Sequence, residues 1–131
     1  MDQGSLVGEQ IRQGAKFVHA LGNYAPLSAA FWLKLSDEGQ WYLYLTSPQI
    51  DYSNLKAAYA EVWRLLSPGP NPWLHPFQVK LVPNEDPVAR EMVDIQQRYA
   101  SEGDERVRVS MLGGSGVEDG YAYHLPVALP S

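Results

Sequence analysis

Five stretches of the chain alternate between apolar and polar positions with a period of two, which is typical of β-strands that bury one face of a sheet. They cover roughly residues 29–35, 40–46, 77–82, 106–112 and 120–125. One parity is apolar in every stretch, and in the third stretch it begins with Phe77. A single sheet would bury this parity and expose the other one.

The opposite parity combines aromatic and basic side chains and carries no carboxylate. Its most informative members are Trp32, Tyr42, Tyr44, Lys80, Arg106, Arg108 and His124. Aromatic residues and arginine are enriched at protein interfaces. The pattern therefore predicts an interaction or ligand-binding surface on the exposed face of the sheet.

Three further segments repeat their apolar positions with helical spacing. The first covers residues 5–21 and stops at Gly22. The second follows Asp51 and ends at residues 67–69, and the third follows Asp86 with Pro87 at its first helical position and ends near Gly103. Caps, an N-terminal proline and terminal glycines are the usual boundary signals of helices.

The predicted order is α-β-β-α-β-α-β-β, with turn residues 36–39 and 113–116 inside two hairpins. This order favours one α+β domain over residues 1–131, a two-layer sandwich. Its sheet would have five mainly antiparallel strands, with about three helices on one face. Phe31, Leu43, Val62, Ile95 and Val109 are expected in the core.

Composition narrows the class of protein. The 131 residues include no cysteine, which fits a reducing, cytoplasmic compartment. No apolar run is long enough for a membrane span, and the first ten residues lack the order of a signal peptide. The formal net charge of −5 argues against nucleic-acid binding.

Residues that could carry chemistry are few. The glycines at 113, 114 and 116 precede Glu118 and Asp119, whose charges would repel phosphate, so a hairpin turn is favoured over a phosphate loop. His19, His75 and His124 have no metal-site spacing. We therefore expect no metal, no cofactor and no catalytic residue, and enzymatic activity is left open but not favoured.

Residues 68–76 contain four prolines and cannot continue a helix or a central strand. The aromatic residues at the end of this loop could form a lid over a pocket. A proline-rich loop with one tryptophan is more often pinned to the core by that ring. We favour the pin, through Trp73.

Three segments resemble a set of small bacterial proteins of unknown function. They are residues 29–35, the hairpin partner 41–48 and the C-terminal run 117–125. The resemblance implies a self-contained prokaryotic accessory domain. It brings no activity, ligand or site residue with it.

The leading hypothesis is a non-enzymatic interaction domain whose aromatic and basic face binds a protein partner, most simply a second copy of the chain. The alternative is a pocket for a planar anionic ligand on the same face, with His124 as its acid or base. Single-stranded RNA on an aromatic sheet is a third class, which the net charge disfavours. A fourth reading has no partner at all, because twisted strands or the 68–76 loop would cover the rings.

Overall fold

A computed structural model describes residues 8–67, 72–102 and 111–127. Three α-helices, five strands and one 3₁₀ turn lie within these ranges. The elements are α1 (Gly8–Tyr24), β1 (Ala29–Leu35), β2 (Trp41–Thr46), α2 (Leu55–Leu66), the 3₁₀ turn (Pro76–Gln78), β3 (Val79–Leu81), α3 (Pro87–Glu102), β4 (Met111–Leu112) and β5 (Ser115–Ala122).

The described strands form one sheet in the order β3-β2-β1-β5-β4. Both predicted hairpins, β1 with β2 and β4 with β5, are antiparallel, and β1 also pairs antiparallel with β5. Only β3 runs parallel to its neighbour β2. The predicted α+β class with a five-stranded, mainly antiparallel sheet is therefore confirmed.

The hairpin register differs from the parity that the sequence suggested. Phe31 lies opposite Tyr44, and Trp32 lies opposite Leu43. Directly opposed residues share a face, so odd positions of β1 share a face with even positions of β2. The prediction that odd positions form one buried face throughout the sheet is wrong, because the residues between the strands set this register.

Both faces of the sheet are covered by helices. The even positions of β1 pack with α1 and α2 in one core that contains Trp32, Leu43 and Val62. The odd positions pack with α3 in a second core that contains Phe31 and Ile95. The expectation that all three helices lie on one face is wrong, since β1 is apolar at both parities and needs a cover on each side.

Of the five expected core residues, Phe31, Leu43, Val62 and Ile95 are buried. Val109 lies outside the described residues. Two strands are shifted from their expected ranges: β3 is preceded by the 3₁₀ turn, and β5 begins before residue 120.

Gly113 and Gly114 form the hairpin turn between β4 and β5. Both have positive φ angles, 58° and 84°. A two-residue hairpin loop of this kind requires left-handed backbone at both positions, which glycine adopts without steric cost. The turn interpretation of this glycine-rich segment is confirmed.

Gln96 connects α3 to the centre of the sheet. Its side-chain oxygen accepts a hydrogen bond from the backbone N–H of Ala30 at 3.0 Å, and its amide donates to the backbone oxygen of Tyr123. The side chain is buried. A buried backbone group without a partner is costly, so Gln96 satisfies two groups at the place where β5 ends.

A chain of hydrogen bonds ties α1 to the sheet. The indole N–H of Trp32 donates to the Tyr123 hydroxyl at 2.8 Å, and that hydroxyl donates to the backbone oxygen of Ile11 at 2.6 Å. Gly14 makes this approach possible. A Cβ at position 14 would overlap the Tyr123 oxygen and lie 2.9 Å from the Trp32 nitrogen.

Gly14→Ala should therefore destabilise the protein by about 1–3 kcal/mol, because the added methyl group forces the Tyr123 ring away. The Tyr123→Phe background removes the clashing oxygen, so the same substitution should cost less there. Urea denaturation of the four variants measures this coupling.

Gly22→Ala is the matched control on the same helix. A Cβ at Gly22 meets no atom within 4 Å. This substitution should stabilise the helix by about 0.5–1 kcal/mol. Equal effects at positions 14 and 22 would contradict the proposed close contact.

Candidate interaction surface

The sequence-predicted site residues do not share one surface. Tyr42, Tyr44 and Lys80 lie on the α3 side of the sheet, since Tyr44 pairs with both Phe31 and Lys80. We call these three residues the tyrosine patch. Trp32 lies on the opposite side and is fully buried, so the prediction that it is exposed is wrong.

The remaining predicted site residues are not part of the tyrosine patch. His124 is exposed and follows the end of β5. Arg106 and Arg108 lie outside the described residues.

The tyrosine patch is largely satisfied by the chain itself. The Lys80 ammonium lies 4.6 Å from the centroid of the Tyr42 ring. The Tyr42 hydroxyl accepts a hydrogen bond from Gln40 at 2.7 Å, and the Tyr44 hydroxyl donates to Glu38 at 3.1 Å. All three members of the patch are half-buried. These contacts use the groups that a partner or an anionic ligand would need.

Lys34, which belongs to the same predicted exposed parity as Trp32, also has a partner within the chain. Its ammonium lies 3.5 Å from the Glu118 carboxylate. The cation lies on the α1 and α2 side of the sheet, because Lys34 pairs with Trp41. Lys34 and Lys80 therefore lie on opposite faces of the sheet and cannot bind the same anion.

A more exposed group of rings lies beside β3, where α2 contacts the 3₁₀ turn. Trp63 of α2, His75 and Phe77 form it, and we call it the aromatic cluster. The Phe77 side chain is 72% exposed and the Trp63 side chain 42% exposed. Phe77 was expected in the buried parity, and this is wrong, because the 3₁₀ turn interrupts the alternation before β3 begins.

The rings of the aromatic cluster contact one another. His75 and Phe77 are stacked, with centroids 5.1 Å apart and planes at 16°. Trp63 stands perpendicular to both, at 5.2 Å from Phe77 and 6.0 Å from His75. Edge-to-face pairs of this kind are favourable beyond simple burial. The cluster is thus a formed surface with two ring directions at right angles.

A capping box holds His75 and Phe77 in place. The His75 ring accepts a hydrogen bond from the Phe77 backbone N–H at 3.2 Å, and the His75 backbone N–H donates to the Gln78 side-chain oxygen at 2.8 Å. Pro76 occupies the first position of the turn. Leu74, immediately before the box, is buried. The loop is therefore pinned by Leu74, whereas Trp73, the expected pin, is half-buried.

Charge near Trp63 is balanced within α2. The Arg64 guanidinium donates to the Glu61 carboxylate, with one N–H at 2.8 Å. This hydrogen bond lowers the pKa of Glu61 and raises the pKa of Arg64. Both groups stay charged and paired at neutral pH, so the surface around the cluster presents no unpaired charge from this pair.

A groove of about 570 Å³ lies between α1 and the segment after β5. It is lined mainly by apolar side chains, including Val18, Leu27 and Leu125, together with His19 and Asn23. The His19 ring nitrogen Nδ1 lies 2.9 Å from the backbone oxygen of Val127. Among the described residues that line this groove there is no lysine or arginine, so they provide no cation for the expected anionic ligand.

Within the described ranges 8–67, 72–102 and 111–127, no group of three or more His, Asp or Glu side chains is placed to hold a metal ion. None of the helices in these ranges is both long and apolar enough to cross a membrane.

The chain matches no protein-family model, no curated protein and no solved structure. The choice between surfaces therefore rests on their geometry. The aromatic cluster is the described surface that joins high exposure to direct ring contacts. Sequence signals for it existed: Trp63 lies off the apolar stripe of α2, and His75 precedes a proline at a helical start.

Exposure predicts that the aromatic cluster contributes little to folding. Phe77→Ala should cost less than about 1 kcal/mol, because the side chain is mostly in water already. Leu74→Ala is the matched buried change and should cost about 2–5 kcal/mol. Urea unfolding of both variants measures the difference. Similar losses would mean that Phe77 belongs to the core.

Alkaline pH should weaken the fold in part through Tyr44. Burial, followed by the nearby Glu38 charge, raises the pKa of Tyr44 above its ordinary value. The unfolded chain then loses this proton first, so the free energy of unfolding falls as the pH rises above about 10.

Tyr44→Phe removes this proton and should make the fall with pH shallower. The measurement is the urea-unfolding free energy of wild type and variant between about pH 9 and pH 11. Identical slopes in the two proteins would contradict a buried, proton-retaining Tyr44.

Proposed function

We propose that this chain is a non-enzymatic interaction domain that binds a second polypeptide through the aromatic cluster. The observation that carries the proposal is the contact of Trp63, His75 and Phe77 with one another at a strongly exposed position. Aromatic side chains are the commonest anchors of protein interfaces. The capping box holds the His75 and Phe77 rings at this exposed position, so both rings are already placed for contact with a partner.

Preorganisation strengthens this proposal. The His75 ring is held by the Phe77 N–H, and the Phe77 ring is stacked on His75. Side chains that are already ordered lose little conformational entropy when a partner arrives. The cluster is therefore suited to bind at low entropic cost.

The tyrosine patch supports the same class of function less well. Its hydroxyls and its cation already have partners within the chain, so a protein that covered it would have to replace those contacts. A planar anionic ligand meets the same difficulty. The exposed carbon surface of Trp63 and Phe77 meets less of this difficulty, because it needs no hydrogen-bond partner.

Site-specific cross-linking tests the proposal. Phe77 is replaced by the photoreactive p-benzoylphenylalanine, which keeps an aromatic ring at position 77. Irradiation in the cells that produce the protein should give one discrete cross-linked species, identified by mass spectrometry. The species should disappear when Trp63→Ala is added, because that change removes the perpendicular ring.

Tyr52 provides the control position. Its side chain is 59% exposed but does not belong to the aromatic cluster. The same photoreactive residue at position 52 should not give that species. Equal products from positions 77 and 52, or no product from position 77, would overturn the proposal.

A further inference from the structure

At the sheet edge nearest the aromatic cluster, two backbone N–H groups already have hydrogen-bond partners and so cannot pair with an added strand. β3 is the outermost strand on this side. The Leu81 N–H donates to the Tyr59 hydroxyl at 2.9 Å, and the Val79 N–H donates to the backbone oxygen of Pro76. A peptide that adds to a sheet edge needs such donors. Recognition beside β3 must therefore use side chains and not backbone pairing.

The size of the cluster points to a short segment and not to a second folded copy. A fully enclosed aromatic side chain buries about 150–250 Å², so the exposed parts of Trp63 and Phe77 offer on the order of 250 Å². A stable dimer buries about 800 Å² on each partner. The cluster is large enough to anchor a peptide, whereas by itself it provides only about a third of one side of such a dimer interface.

The charged residues around the aromatic cluster also favour such a segment. The nearest described ion pair, Arg64 with Glu61, is satisfied within α2. The rings themselves attract apolar groups and the positive edges of other rings. An apolar segment, which needs no opposite charge from the protein, is complementary to the cluster.

We propose that the partner segment is a proline-rich stretch in the polyproline II conformation; this inference rests on the proposed function. Such a segment is already extended, keeps its backbone solvated and needs no hydrogen bonds from a sheet edge. Its three residues per turn present regularly spaced prolyl rings. The plane of the Trp63 ring is perpendicular to those of His75 and Phe77, so rings of two orientations border this surface. Aromatic-lined surfaces are a general way of recognising this conformation.

Fluorine NMR of the full chain tests the inference. The four tryptophans are labelled as 5-fluorotryptophan and assigned by single replacements with phenylalanine. A decaproline peptide is the probe, and a Gly-Ser decapeptide of equal length is the control. Decaproline should shift the Trp63 signal in a saturable way, while the signals of the buried Trp32 and Trp41 stay in place.

Two variants locate the binding surface. Phe77→Ala and His75→Ala should each weaken the binding of decaproline by about tenfold, as expected for an anchor ring. Tyr52→Ala, which removes an exposed ring outside the cluster, should leave the affinity unchanged. Unmoved Trp32 and Trp41 signals in each variant show that the fold is intact.

The outcomes separate the two proposals. If decaproline leaves the Trp63 signal in place while cross-linking at position 77 still captures a polypeptide, the proline-rich partner is excluded and the interaction domain stands. If both experiments are negative, both proposals fail. If position 77 cross-links to a second copy of this chain and the purified protein is a dimer, the proline-rich partner is again excluded. An equal response to the Gly-Ser peptide would also overturn it.

Discussion

Burial of β1 on both faces is the constraint on which the rest of the structure depends. Six of its seven residues are buried, and only Lys34 is partly open. A strand of this kind is stable only if apolar surface covers each side of it. The helices divide accordingly, with α1 and α2 against the even positions and α3 against the odd ones. The backbone groups of this central strand also need hydrogen-bond partners. Where the pairing with β5 ends, the Gln96 side chain bonds to the Ala30 N–H and to the Tyr123 carbonyl oxygen.

The same constraint decides which aromatic residues remain available for binding. Trp32 and Tyr44 occupy equivalent positions in the alternating sequence pattern. In the structure they lie on opposite faces of the sheet. Trp32 packs in the core with α1, and its indole N–H donates a hydrogen bond to the Tyr123 hydroxyl. Tyr44 is partly buried against the core that contains α3, and its hydroxyl donates a hydrogen bond to Glu38. Neither ring is left as a free contact surface, although one is buried and the other half-exposed.

The aromatic cluster arises where strand geometry is interrupted. Pro76 starts a single 3₁₀ turn immediately before β3, where the alternating pattern predicted a strand from residue 77. This turn directs Phe77 outward when simple alternation would direct it inward. Trp63 reaches the same place from α2, so the cluster joins a local turn to a helix that is distant in sequence. The hydroxyl of Tyr59, from that helix, also closes the neighbouring edge at Leu81.

Sequence periodicity by itself determined the α+β class, the three helices and the two antiparallel hairpins. Each of these depends on the spacing of nearby apolar residues and on turn residues such as Gly113 and Gly114. Tertiary structure alone decided the parallel contact of β2 with β3 and the position of α3. These depend on contacts between residues far apart in sequence. The candidate site followed the same division: Phe77 is exposed because of a local capping box, but its partner Trp63 is brought to it only by packing of α2 against the sheet.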